Sequence, residues 1–432
     1  MKKLIFTSLL IVILAVASCQ DNFTLDENIS SQELNGNSNY RSEIEAIEIA
    51  LSQMQKFYPE KVLPKSRSSE LSCIPLSFNN VHRNSRGAQN EPDVFVVNFP
   101  NDSGFVVVPT YANAPEVLAV TECGNITSLD EIENPALQII MNQACLYAST
   151  LAINPIPIDT NKLGFAKQWE EYDTIQNIKI APKIQFLTWS QNPPEGLLFT
   201  NALADCSNVA TAMIFAYFES PKSITLTYDK SYRNLSLNWS EIKKHRHLHN
   251  GHAYGHMDCP ATNDAHNQLS YLCKEIAFQS GSTSSGTPGS GLTGTPSSKA
   301  FEVIQRYLPD RTVKKVSDNS FAISDISNGI IYMEGVISGT STGHSWVVDG
   351  ANLLVIHKNT YYQGQFDLKP TLKNQETISH LMLHINWGWG GDGNGYFYYG
   401  AFNPTKYVSL DPNVLASSEN TTYSSIQYTS IK

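Results

Sequence analysis

The chain has 432 residues, 41% of them apolar, which is too long for one ordinary core and too apolar for a disordered polymer, so two or three globular domains are expected. A net charge of −10 and a pI of about 5.6, with no concentrated basic face, exclude nucleic-acid backbone binding as the main activity.

Lys2 and Lys3 precede an apolar run over residues 4–16, the charged start and short hydrophobic core of an export signal, too short to span a bilayer. The run ends Val16-Ala17-Ser18-Cys19, which is similar to the lipobox of bacterial lipoproteins. That resemblance implies a signal over residues 1–19, lipid attachment at Cys19, a membrane as partner through this anchor, and an extracytoplasmic place at the bacterial outer membrane or cell surface. The polar stretch 20–40 then serves as a flexible tether.

Ile44, Ile47, Leu51 and Met54 recur at helical spacing and predict an amphipathic helix over 42–54. A Ser-rich basic connector is expected over 65–87, followed by strands at 94–99 and 105–108 joined through Pro100-Asn101-Asp102-Ser103-Gly104. A helix after Asn134-Pro135 runs to about 151, closing a small α+β domain over 41–155. Residues 156–181 read as a linker. The second domain, 182–432, places helices first (206–218, 265–278 and 297–308) and strands second (329–337, 345–349, 353–357, 381–387 and 395–399). This order predicts an α+β architecture of two lobes with the chemistry at their seam.

Seven cysteines in an oxidising compartment would suggest pairing, but with Cys19 lipidated and one nucleophile the remainder is odd, so no disulfide framework is expected. Cys206 stands at the start of a helix that is apolar nearly all round, where the helix N-terminus and a nearby imidazole lower a thiol's pKa. Of eleven histidines, His344 follows the permissive Gly343 and opens an alternating β run. Each alone would pass as a core residue. Their joint occurrence with Asn386-Trp387 points to a thiol protease.

From about residue 90 onward the chain resembles the streptopain family of papain-like cysteine peptidases. Asp205-Cys206-Ser207-Asn208-Val209-Ala210 looks like its nucleophile helix, Gly343-His344-Ser345-Trp346-Val347-Val348-Asp349-Gly350 like its histidine strand, and Asn386-Trp387-Gly388-Trp389-Gly390-Gly391 like its C-terminal signature. Trp189-Ser190-Gln191 is similar to the segment whose Gln helps form the oxyanion hole. The resemblance implies a papain-like fold, a helical lobe plus an antiparallel β lobe preceded by an inhibitory prodomain over 41–155, a maturation site within 156–181, and cysteine endopeptidase activity on protein or peptide substrates. Cys206 and His344 would be the dyad, with Gln191 in the oxyanion hole and Asn386 or the indole of Trp387 orienting the imidazole. Ser290 and Gly343 would contact the substrate backbone. No cofactor is implied.

Two departures stand out. The family carries Gly before the nucleophile, whereas Asp205 here brings a charge that disfavours a thiolate. The spacing from Gln191 to Cys206 is also short. An inactive surface-binding protein on the same scaffold is therefore the alternative function. His245, His247, His249, His252, His256, Asp258 and Cys259 fit no closed zinc pattern and read as a solvated insertion, so no metal is expected, and the turn 391–395 reads as a hairpin rather than a calcium loop. A His-rich metal-capturing lipoprotein is the third reading.

Overall fold

The computed structural model describes residues 40–61, 70–78, 92–112, 114–153, 167–246, 259–285, 292–295, 297–316, 323–340, 343–363, 369–402 and 422–432. Cys19, Ser290 and residues 247–258 of the histidine-rich stretch lie outside them.

The first helix, α1 (Glu43–Phe57), starts from Ser42, whose hydroxyl accepts the Glu45 N–H while Glu45 accepts the Ser42 N–H at 2.6 Å, a reciprocal capping box. Its buried side is Ala46, Ala50, Gln53 and Met54, and Ile44 is exposed, so the inward stripe is rotated from the predicted one. Strands β1 (Ser72–Leu76), β2 (Val94–Asn98), β3 (Phe105–Pro109) and β4 (Ala119–Thr121) form an antiparallel meander, against which α1 and α2 (Pro135–Ile153) pack. Every residue of β2 and β3 is buried, which is why they read as unbroken apolar runs rather than alternating ones.

The chain continues through β5 (Lys167–Ile180), α3 (Cys206–Phe218), the pair β6 (Ser223–Thr225) and β7 (Asn234–Ser236), α4 (Trp239–Ile242) and α5 (Asn263–Ser280). The pair β8 (Thr283–Ser285) and β9 (Leu292–Gly294), α6 (Ser297–Tyr307), β10 (Val313–Val316) and α7 (Ile323–Ser327) follow. The chain ends with β11 (Ile330–Ile337), β12 (Gly343–Gln363), β13 (Thr371–Asn386), β14 (Gly395–Tyr398) and β15 (Tyr423–Ile431). Among the described residues, 11 strands join in one antiparallel sheet ordered β1-β2-β3-β4-β14-β13-β12-β11-β15-β10, with β5 added along β12. The N-terminal meander and the C-terminal strands thus share a ladder, through β4 against β14.

Three expectations change. The two strands expected at 345–349 and 353–357 are one strand, β12, whose first part pairs β11 and whose second part pairs β5, with a register shift between Val348 and Gly350. Residues 167–180, expected as linker, form β5; residues 170–180 are largely exposed, and the ladder to β12 rather than an apolar face fixes the strand. β1 lies inside the expected connector, and β10 and β15 were not foreseen.

Two apolar clusters flank the central strands. Along β11 and β12, Ile331, Met333, Trp346 and Val348 join the cluster shared with the N-terminal meander, α2 and Trp387, while Ile330, Tyr332 and Val347 join α3, α5 and α6. Successive side chains point to opposite faces, so one strand closes both cores. Helix α3 occupies the predicted span. It ends at Phe218 because Glu219 turns left-handed and Pro221 follows.

Candidate active site

Cys206 is the first residue of α3, and Asp205 is its N-cap: Oδ1 accepts the Ser207 N–H at 2.7 Å. The Cys206 thiol donates to the same oxygen at 3.8 Å. Burial, and then the charge of Asp205, push the thiol well above its ordinary pKa, while the Ser345 and Ser207 N–H groups and the Ser345 hydroxyl pull the other way. Asp205 is itself raised to about 6 by burial, against hydrogen bonds with Ser207, Thr295 and Cys206. The helix N-terminus that would favour a thiolate already holds a carboxyl group.

His344 is the second residue of β12 and is buried. Its Nε2 donates to the Trp387 carbonyl at 3.3 Å, and its ring stacks on Trp346 at 6.2 Å between centroids. Burial lowers its pKa to about 4, with the carbonyl only partly offsetting this, so the ring is neutral at pH 7. No hydrogen bond joins Cys206 to His344. The thiol meets Ser345 instead, the next residue along the strand and therefore on its other face.

Tyr332 ties the two elements together. Its hydroxyl lies 3.1 Å from Ser207 Oγ on α3 and 2.8 Å from Ser345 Oγ on β12, bridging the residues that follow Cys206 and His344. Sequence reasoning missed it, since it sits in an apolar strand run and reads as core.

The other expected site residues are placed as follows. Asn386 donates through Nδ2 to the Leu187 carbonyl at 2.7 Å and accepts the Gly388 N–H at 3.1 Å. The Trp387 indole donates to the Gly393 carbonyl at 3.0 Å. Neither side chain reaches the imidazole, so the group holding His344 in this structure is the main-chain carbonyl of Trp387. Gln191 lies in a loop that returns to the start of α3: its carbonyl accepts the Ala204 N–H at 2.7 Å. At Gly343 a Cβ would lie 2.1 Å from the Gly335 carbonyl, so this glycine lets β11 and β12 close.

Asp349, at the irregularity in β12, links the N-terminal unit to the rest of the chain. Its Oδ2 accepts the N–H groups of Lys183 and Ile184 at 2.8 and 2.7 Å, and its Oδ1 faces His384 Nδ1 at 2.6 Å. The other ring nitrogen of His384 faces Glu122 Oε1, from the residue after β4, at 2.9 Å. Burial alone would lower the pKa of His384, but the charges and hydrogen bonds of Asp349 and Glu122 outweigh it and raise it to about 9. At neutral pH the ring is therefore a cation between two carboxylates.

None of the six described cysteines is in a disulfide, in keeping with the expectation of no disulfide framework. The turn 387–394 closes the β13–β14 hairpin. His245 departs from the solvated insertion expected for it: it is 1% exposed and meets Cys259 and His266.

Residues 185–397 match the Peptidase C10 family model. No curated protein matches the chain. Among solved structures, a fragment of prointerpain A from Prevotella intermedia is similar at 16% identity and a TM-score of 0.48, covering 84% of this chain and 98% of that one. Active interpain A cysteine protease from the same organism is similar at 17% identity and a TM-score of 0.36, covering 58% and 94%.

Proposed function

We propose that this chain, which belongs to the Peptidase C10 family over residues 185–397, is a cysteine endopeptidase in a latent state, with Cys206 as nucleophile and His344 as its base. The observation that carries the reading is the Tyr332 bridge. It fixes the residue after Cys206 against the residue after His344, so the two elements are already joined, and what the pair lacks is passage of the imidazole from the far face of β12 to the face that meets the thiol.

Latency follows from what holds that imidazole. The Trp387 carbonyl belongs to the β13–β14 turn, and the N-terminal unit grips this turn: Glu122 donates its N–H to the Asn394 carbonyl at 2.7 Å, the Leu118 carbonyl accepts the Tyr398 N–H at 2.8 Å, and Leu137 packs at Gly393. Release of residues 41–155 frees the turn and, through it, His344. The imidazole then takes the thiol proton, and the thiolate attacks the scissile carbonyl of a peptide. The oxyanion is held by the Cys206 N–H and the Gln191 amide. As the tetrahedral intermediate collapses to a thioester, His344 gives its proton to the leaving amine, and water, activated by the same ring, hydrolyses the thioester.

The maturation cut is expected at or before residue 167, because a cut inside β5 would require the strand to leave its ladder with β12. Mass spectrometry of the new N-terminal peptide checks this; an N-terminus between 168 and 180 contradicts it. Lipid attachment at Cys19 and display at a bacterial outer membrane belong to the same proposal and rest on the lipobox.

The second reading, an inactive binding protein, is favoured by one observation, the Asp205 carboxyl against the thiol. Incubating the chain without its signal, with an epoxide thiol-protease inhibitor added at the end, separates the two. Loss of the N-terminal unit together with one inhibitor adduct on Cys206, both absent in Cys206→Ala, is the expected result. An unlabelled Cys206 even after the N-terminal unit is removed by an added protease establishes the binding protein.

A further inference from the structure

Beyond the active site, three donors from separate turns of the chain converge between α4 and α5. His245 follows α4, Cys259 precedes α5, and His266 lies in the first turns of α5. His245 Nδ1 is 3.2 Å from His266 Nε2, and Cys259 Sγ is 3.4 Å from His245 Nδ1 and 3.5 Å from His266 Nε2. Three ligand atoms at these separations form one face of a tetrahedron. A zinc ion bound at about 2.0–2.1 Å to nitrogen and about 2.3 Å to sulfur requires edges of roughly 3.3–3.6 Å, which the observed distances match closely.

The surroundings are those of a ligand set. The other nitrogen of His245, Nε2, lies 3.4 Å from Oε1 of Glu195, which is fully buried. The contact is an ion-pair distance and not an aligned hydrogen bond; the negative charge of the carboxylate favours the proton on Nε2 and leaves the Nδ1 lone pair facing Cys259 and His266, the tautomer that metal-bound imidazoles with an outer carboxylate adopt. Cys259 Sγ accepts the Arg246 N–H at 3.4 Å, a bond that favours the thiolate a metal needs. We propose that His245, Cys259 and His266 bind a zinc ion, with Glu195 positioning His245.

The ion would clasp the end of α4 to the start of α5 and, through Glu195, reach the loop that carries Gln191: the same Glu195 Oε1 accepts the Ser190 N–H at 3.3 Å. The role is structural. The site is separate from the Cys206 chemistry and does not depend on this chain being a peptidase. The competing account is a metal-free cluster in which the two imidazoles and the thiol hydrogen-bond to one another.

The test uses the chain carrying Cys206→Ala, so that the nucleophile contributes no thiolate. After treatment with a chelator it is titrated with Co²⁺. The expected result is a thiolate-to-cobalt charge-transfer band with the visible bands of tetrahedral cobalt, saturating at one ion per chain and displaced by zinc. Cys259→Ser in the same background should abolish the charge-transfer band. Glu195→Gln, which keeps all three ligands, should retain it with affinity lowered roughly 10- to 100-fold. Circular dichroism of each variant reports whether it folds. The absence of a charge-transfer band in the parent, which no variant's misfolding can explain, or its survival in Cys259→Ser, overturns the proposal.

Discussion

Replacing Asp349 by alanine is expected to lower the unfolding free energy by about 3–5 kcal/mol, the range for removing one partner of a buried, hydrogen-bonded ion pair. The carboxylate is fully buried and serves three donors: the Lys183 and Ile184 N–H groups and His384. Without it both N–H groups lose their acceptor at the entry to the peptidase segment, and His384 keeps only Glu122 as counter-ion. The pH dependence identifies the cause. The folded pKa of His384 is raised from 6.5 to about 9, so its contribution is complete below 6.5 and is lost as pH rises through about 9. The parent should therefore lose stability over that window, and Asp349→Ala, which lacks the main charge that raises His384, should show a flatter profile. Glu122→Gln should flatten it less, since it removes only the smaller contribution. Urea unfolding at both ends of the window measures all three. A loss within about 1 kcal/mol in Asp349→Ala, as for an ordinary neutral hydrogen bond, would remove Asp349 from this role.

How far the sequence discloses this molecule depends on whether an element's signal is local. Helix α3 is legible to the residue, because an all-round apolar run and a proline three residues beyond its end are both local signals. Strands β2 and β3 are legible because burial on both faces leaves unbroken apolar runs. Strand β5 is not: Glu170, Glu171 and Asp173 lie within it, and only its long ladder with β12 makes it a strand. The motifs locate Cys206 and His344 but not the relation between them. His344 and Ser345 point to opposite faces, and which of them meets the thiol is decided by packing that no local pattern records. Asn386 and Trp387 show the same limit, since the motif marks the right turn while a main-chain carbonyl, which carries no sequence signal, makes the contact. The burial of His245 escaped for a related reason: its ring packs against His266, which belongs to α5 and lies outside the dense run of histidines.

Replacing Asp205 by asparagine is expected to raise the alkylation rate of Cys206 at neutral pH by about 10-fold or more, since removing one nearby like charge lowers a thiol pKa by roughly one unit or more. Asparagine keeps the N-cap acceptor for the Ser207 N–H, so α3 should start as before. The effect must depend on pH. Asp205 titrates at about 6, so below that value it is neutral in the parent and the two chains should converge; above it they should diverge. Stability gives an independent check with a definite sign. Because the folded pKa of Asp205 is raised from 3.8 to about 6, its contribution is present below 3.8 and lost as pH rises through about 6. The parent thus holds an unfavourable buried charge at neutral pH, and Asp205→Asn should be the more stable chain there, by up to roughly 3 kcal/mol, with no advantage in acid. Iodoacetamide kinetics and urea unfolding across this range measure both. Burial, not Asp205, is the larger cause of the raised thiol pKa, so the variant should still react more slowly than an exposed cysteine. A variant already as reactive as an exposed thiol would mean that the charge of Asp205, and not burial, keeps Cys206 silent.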